Sequence, residues 1–264
     1  MVSGGEVPPG EIPADLGLLL ATVERLVAIT GAGISMESGI PTFRGPEGLW
    51  RSFRPEELAT PQAFQRDPRL VWEWYDWRRQ KIAPARPNPG HEALVRLEAL
   101  VPDFTLITQN VDGLHRLAGS RNLLEIHGSI WEVRCLKCGA VREDRRTPLP
   151  LLPRCEECEG LLRPNVVWFG ESLSPDLLRR SENALLRAQA VLVVGTSAVV
   201  QPAASFALWA KEAGARIIEV NPDPTPLTGH CHYALPGAAG KILPLLAGLR
   251  ERHQEGVSRP RKRP

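Results

Sequence analysis

The clearest apolar pattern near the start of the chain is Arg25-Leu26-Val27-Ala28-Ile29-Thr30, a short, partly β-branched run closed by Gly31. A continuous apolar run of this length reads as a parallel strand covered on both faces and entering a tight turn. Similar runs lie at 104–107, 123–126, 190–194 and 216–220, and helix-like stretches at 91–100 and 175–188 separate several of them. Strands alternating with helices predict an α/β fold built on a Rossmann-like, doubly wound parallel sheet.

Two stretches interrupt the alternation. Residues 46–90 are rich in aromatic side chains and predict a helix over 68–82, whereas 131–164 gather cysteines among Pro, Arg and Glu. The expected organisation is a Rossmann-like domain over 15–45, 91–130 and 165–250, a helical insert over 46–90 and a smaller zinc-binding lobe over 131–164. Residues 1–14 and 251–264 read as disordered tails, the second of them basic.

Composition narrows the function classes. The 264 residues can bury a substantial core, as one large domain or a large one carrying a small one. The net charge of +2 includes Arg259, Arg261, Lys262 and Arg263, so the body lacks the basic field of a nucleic-acid-binding protein. No apolar run reaches the roughly 18 residues that span a bilayer, and the Gly- and Pro-rich start lacks a signal-peptide layout. The expectation is a cytoplasmic protein with neither membrane nor nucleic acid as partner.

Cysteine spacing is the most specific chemical signal. Cys135-x-x-Cys138, sixteen intervening residues and Cys155-x-x-Cys158 form a tetrahedral zinc pattern. Four thiolates close the coordination shell, which makes the expected Zn2+ structural; a redox pair or buried free thiols are the alternatives. Acidic and basic residues around the pairs nearly cancel, as in a solvated lobe. Cys231 stands apart and reads as a small apolar side chain.

After the first strand comes Gly31-Ala32-Gly33-Ile34-Ser35, whose glycines would let backbone amides approach a pyrophosphate at a strand-to-helix turn. Met36 stands where a third small residue is usual, and by itself the segment fits a plain tight turn as well. Thr42-Phe43-Arg44-Gly45 follows Pro41, so a loop presents Phe43 and Arg44 beside the turn, unless Phe43 is core and Arg44 a surface cation. Three polar motifs then sit at expected strand ends: Thr108-Gln109-Asn110-Val111-Asp112-Gly113-Leu114-His115, His127-Gly128-Ser129 and Gly195-Thr196-Ser197. In open parallel sheets these ends line the ligand crevice, although capping accounts for any one of them alone.

In order and wording, the motifs from Gly31 to Asp223 resemble those of sirtuins, NAD-dependent protein-lysine deacylases. The resemblance implies that NAD loses nicotinamide and that the acyl group of a modified lysine ends on ribose as O-acyl-ADP-ribose. It implies a cofactor site at Gly31, Ala32, Gly33, Ser35, Phe43, Arg44 and Gln109, continued by Gly195, Thr196 and Ser197. Asn110 and Asp112 offer an amide and an acceptor for the carboxamide and ribose. Asn221 and Asp223 suit the adenosine ribose, with an Asn-Pro turn as the plain alternative, and Ala239 enters through the resemblance alone. His127 is the expected general base, since histidine titrates nearest working pH; a structural histidine is the alternative.

The resemblance places the substrate side at Val167, Trp168 and Phe169, in an extended stretch suited to pairing with a peptide backbone, with an ordinary core strand as the plain alternative. Tyr75 and Arg78 share one face of the 68–82 helix. The plain reading is aromatic packing with a solvated arginine, but Tyr-x-x-Arg resembles the sirtuin branch that accepts succinyl-lysine. A guanidinium fork and a phenol match a carboxylate ending a short acyl chain. Arg79 turns inward only on a rotated helix, without Tyr75. The expected function is a deacetylase and desuccinylase acting on acylated lysines of proteins; a protein ADP-ribosyltransferase and a plain deacetylase are the alternatives.

Overall fold

The computed structural model describes residues 12–43, 49 and 54–258. Strands β1 (Arg25–Thr30), β2 (Asp103–Thr108) and β3 (Leu123–Glu125) lie on one side of the larger sheet. Strands β7 (Ala190–Val194), β8 (Arg216–Asn221) and β9 (Tyr233–Pro236) lie on the other, giving the order β3-β2-β1-β7-β8-β9. Every pairing is parallel. Because the chain leaves β1 toward β2 and later returns to β7 on its other side, the strand order reverses there. In open parallel sheets the ligand crevice lies outside the carboxyl ends at such a reversal, here those of β1 and β7.

Side chains alternate across each strand, so the apolar runs feed two cores. Leu26, Ala28, Leu106, Leu192 and Val194 pack with residues of α1 (Ala14–Thr22), α5 (Pro89–Leu100) and α9 (Ala239–Ser258). Val27, Ile29, Ile107, Val191 and Val193 pack with residues of α7 (Pro175–Arg187) and α8 (Phe206–Glu212). Burial on both faces explains why these strands show no polar alternation.

A third core joins the helical insert to the cysteine lobe. Helices α2 (Pro55–Leu58), α3 (Pro61–Arg66) and α4 (Pro68–Ile82) pack against β4 (Gly128–Cys135) and β6 (Leu162–Val166), which with β5 (Val141–Glu143) form an antiparallel sheet. The Asp67 side chain accepts from the Leu70 amide at 3.0 Å and Pro68 opens the first turn, which fixes the start of α4. Trp72 Nε1 donates to the Leu162 carbonyl at 2.9 Å, and the Leu149 amide to Asp76 at 2.7 Å, tying α4 to the lobe.

Four expectations change. The glycine turn leads into a 3-10 turn at Ala32–Ser38, ended by Gly39 at φ 82°, and not into an α-helix. Gly39 caps it and Pro41 keeps the chain from continuing. Helix α9 runs through Ser258, past the start of the expected tail, because Gln254 on its last turns donates to the Leu100 carbonyl at 2.9 Å. The stretch after 164 is strand only to Val166; the Val167 and Phe169 amides then donate to His127 and Ala59 carbonyls at 2.9 Å each. Arg79 is buried together with Arg78, at 1% and 6% exposure, on two sides of α4.

Candidate active site

The ends of β1 and β7 meet backbone to backbone. The Gly31 amide donates to Val194 at 3.0 Å and the Gly33 amide to Gly195 at 2.8 Å. A Cβ on Gly31 would sit 2.8 Å from the Gly195 oxygen, and one on Gly33 2.7 Å from Gly195 Cα. Gly195 itself lies at φ 58°. Glycine is therefore required at all three positions, and the surface left bare of side chains suits the approach of a diphosphate. Half-buried Ala32 belongs to the same turn, and Met36 points into solvent, so the missing third glycine meets no obstacle.

The loop after β2 forms the next wall. Gln109 Nε2 donates to Thr196 Oγ1 at 3.1 Å. The buried Asn110 amide donates to the Gly31 carbonyl at 3.1 Å and to Ser35 Oγ at 3.2 Å. Asp112 accepts from Ser35 Oγ and from the Leu114 amide, each at 2.8 Å. Burial pushes the Asp112 carboxyl above its ordinary pKa, opposed by those two donors and by the nearby Arg78 charge. Ser35, Asn110 and Asp112 are thus one cluster.

His127 occupies the turn between β3 and β4, with Nδ1 3.0 Å from the Gln109 carbonyl. A carbonyl only accepts, so Nδ1 carries the proton and Nε2 keeps a free lone pair. Burial lowers the His127 pKa, partly offset by that carbonyl. The turn needs Gly128 at φ 77°, where a Cβ would meet Asn165 O at 2.1 Å.

Further along the sheet edge, Ser197 is exposed beside half-buried Thr196. Asn221 Nδ2 folds onto the Asp223 carbonyl at 3.0 Å, so the amide serves its own turn while the Asp223 side chain faces solvent. Ala239 is buried at the start of α9, where the Gly240 amide donates to Glu37 at 2.7 Å. Arg44 lies outside the described residues.

On the insert side, the Arg78 guanidinium lies 4.4 Å from the Phe43 ring centre and 5.2 Å from that of Trp74. It makes no hydrogen bond or ion pair among the described residues, and burial lowers its pKa against the pull of Tyr75 and Asp112. The Tyr75 hydroxyl accepts from Trp168 Nε1 at 2.8 Å and keeps its own proton to donate. Burial raises the Tyr75 pKa to about 12, opposed first by Arg78. Trp168 is buried, Val167 half-buried and Phe169 42% exposed. Glu171, held by Arg163 at 2.6 Å, accepts the Trp168 amide at 2.8 Å and fixes this loop.

Some supporting residues are not evident in the sequence. Thr30 Oγ1 lies 2.8 Å from Thr108 Oγ1 and 2.9 Å from His115 Nε2 beneath the crevice. Asn88 donates to the Ile34 carbonyl at 2.7 Å and to Ser38 at 2.9 Å while capping α5. The Asn88-Pro-Gly-His91 capping pattern was a readable signal for the helix start; its reach to the glycine turn was not.

The four cysteine sulfurs of 135, 138, 155 and 158 lie within 4.8 Å of one another. Cys135 and Cys158 sulfurs are 3.4 Å apart, those of Cys138 and Cys155 3.8 Å, and the Lys137 amide points at Cys135 Sγ at 3.3 Å. A tetrahedron with Zn–S of about 2.3 Å has edges of about 3.8 Å, so the cluster fits one structural zinc.

Residues 31–202 match the Sir2 family. An NAD-dependent protein deacylase of Aquifex aeolicus (strain VF5) is 61% identical over 205 residues, 77% of this chain and 86% of that protein. A Sir2 homologue solved as a mutant complex with ADP ribose superimposes with a TM-score of 0.90 at 51% identity, covering 92% of this chain and 98% of that one. A Sir2 homologue solved with NAD gives a TM-score of 0.87 at 50% identity, covering 95% and 97%. With this parallel sheet, this crevice and this cysteine lobe, the chain belongs to the Sir2 family. It is an NAD-dependent protein deacylase that carries a tetracysteine zinc site.

Proposed function

We propose that this deacylase removes succinyl as well as acetyl groups from protein lysines. The observation that supports the succinyl reading is the buried Arg78 guanidinium, which makes no hydrogen bond or ion pair among the described residues, feels only the more distant Asp112 charge, and lies beside a phenol with a proton to give. An unpaired buried cation is costly, and a carboxylate ending the acyl chain would relieve that cost through charge-assisted hydrogen bonds. Acetyl carries no such group.

In this reading NAD, when bound, supplies an electrophilic ribose carbon, loses nicotinamide and receives the acyl group. The glycine cradle takes the diphosphate, Asn110 and Asp112 hold the nicotinamide side, and Phe43 screens the reacting face from water. His127 takes a ribose hydroxyl proton on Nε2, with Gln109 holding its other nitrogen. Val167, Trp168 and Phe169 form one wall of the acyl-lysine cleft, and Thr196, Ser197, Asn221, Asp223 and Ala239 serve the adenosine half. A reducing compartment such as the cytoplasm suits four zinc-ligating thiolates. Among the described residues no helix is long and apolar enough to cross a membrane.

Mass spectrometry of acetyl-, succinyl- and glutaryl-lysine peptides incubated with and without NAD tests the assignment. NAD-dependent loss of the succinyl or glutaryl group is expected. Turnover of acetyl peptide alone would reduce the enzyme to a deacetylase.

A further inference from the structure

Trp131 is the fourth residue of β4, a strand that begins beside His127 and ends at Cys135. Its ring is buried, and its indole N–H is aimed away from the lobe, donating to the Asp112 carbonyl at 2.6 Å. One residue earlier, the Ile130 amide donates to the Val111 carbonyl at 2.9 Å. Two successive residues of the lobe strand therefore grip two successive carbonyls of the loop that carries Asn110 and Asp112. Gly113 comes so close that a Cβ there would meet Trp131 Cδ1 at 3.0 Å.

The ring is held in turn from two elements. Arg79 of α4 places its guanidinium carbon 5.3 Å from the Trp131 ring centre, and Arg145, after β5, lies at 5.5 Å. Arg79 is 1% exposed and none of its guanidinium nitrogens has a hydrogen-bond partner among the described residues, so the π face and the more distant Asp144 and Asp76 charges are what it has. The backbone adds a further tie, the Asp144 amide donating to the Trp131 carbonyl at 2.8 Å.

We propose that Trp131 is the positioning residue through which the zinc lobe and helical insert hold the Asn110–Asp112 loop in register for the cofactor. The inference rests on the assignment of Asn110 and Asp112 to the nicotinamide side of NAD. A packing tryptophan would need only its ring. A positioning tryptophan needs its N–H, because that donor fixes the peptide whose side chain also binds Ser35 and the Leu114 amide.

Two variants separate these roles: Trp131→Phe, which keeps an aromatic ring, and replacement of Trp131 by benzothienylalanine, which keeps the bicyclic shape and loses only the N–H. Both are assayed on the zinc-loaded enzyme for NAD KM, acyl-peptide KM, kcat, zinc content and melting temperature. The benzothienyl variant should lose about tenfold in kcat/KM for NAD, with acyl-peptide KM, zinc content and melting temperature close to wild type. Wild-type NAD kinetics in that variant, with Asp112→Asn strongly impaired in the same assay, overturns the proposal and leaves the cofactor-loop assignment standing. An equal loss for both substrates with a lowered melting temperature also overturns it, marking Trp131 as packing. Unimpaired Asp112→Asn removes the cofactor-loop assignment and the proposal with it.

Discussion

The Arg78 guanidinium stacks 4.4 Å from the centre of the Phe43 ring, so a residue of the helical insert and a residue of the cofactor-side loop share one contact. The same guanidinium is close enough to Asp112 to restrain the rise of its pKa. Arg78 of the helical insert and Asp112 of the loop after β2 therefore feel each other's charge. Arg78→Met keeps length and apolar bulk while deleting charge and donors. Succinyl-peptide kcat/KM should fall about 30- to 1,000-fold, corresponding to roughly 2 to 4 kcal/mol, while acetyl-peptide turnover changes little. Peptide kinetics checks this, and an equal fall for both substrates would make Arg78 a packing residue.

His127 is held with Nε2 unprotonated, and burial lowers its pKa below the ordinary 6.5. A base must be neutral, so activity should rise with pH and level off, the acid limb of kcat/KM having its midpoint below 6.5. His127→Ala should lose about 100- to 10,000-fold in acyl transfer yet retain NAD binding, measurable by calorimetry. A midpoint above 6.5 in the wild-type profile would contradict the burial argument.

Several features could be read directly from residues. The run Arg25–Thr30 and helix Pro68–Ile82 formed where their patterns placed them, because both faces of the strand are buried and Asp67-Pro68 marks the helix start. The cysteine pairs were legible because metal geometry imposes fixed spacing. What could not be read is long-range: no local pattern says that the Trp131 N–H meets Asp112, or that Glu37 receives the Gly240 amide. Arg79 was misplaced for a related reason. Helical periodicity assigns charged residues to the solvent face, but α4 is covered on two sides, by Phe43 over Arg78 and by Trp131 of the lobe over Arg79.

Loss of zinc should destabilise the lobe and reach the insert, since both share one core. Cys135→Ser or a strong chelator should lower the melting temperature and expose Trp72, Trp131 and Trp168, readable as a red-shifted emission spectrum. Metal-free protein with unchanged melting and emission would remove the structural role.

The last expectation concerns acid stability and the two histidines beneath the crevice. The His91 and His115 rings lie 4.7 Å apart, both fully shielded from solvent or nearly so. His91 Nδ1 accepts from the Asn88 amide at 3.3 Å, and burial lowers its pKa to about 4. Burial also lowers the His115 pKa well below its ordinary value, and the neighbouring His91 charge acts in the same direction. Each histidine must fold neutral, so the unfolded state binds the extra proton. Stability is then fully present above the unfolded pKa of 6.5 and is lost as pH falls from there toward about 4. For His91 the loss over that window should be roughly 3 kcal/mol. Asp112 does not explain such a loss, because burial raises its pKa and its titration destabilises the fold as pH rises. Urea unfolding at steps between pH 7.5 and 4 should show the decline, and His91→Gln, which cannot gain the proton, should make it shallower while His115 still contributes. Parallel pH curves for the wild type and His91→Gln would show that His91 titrates in the folded protein as it does in the unfolded chain.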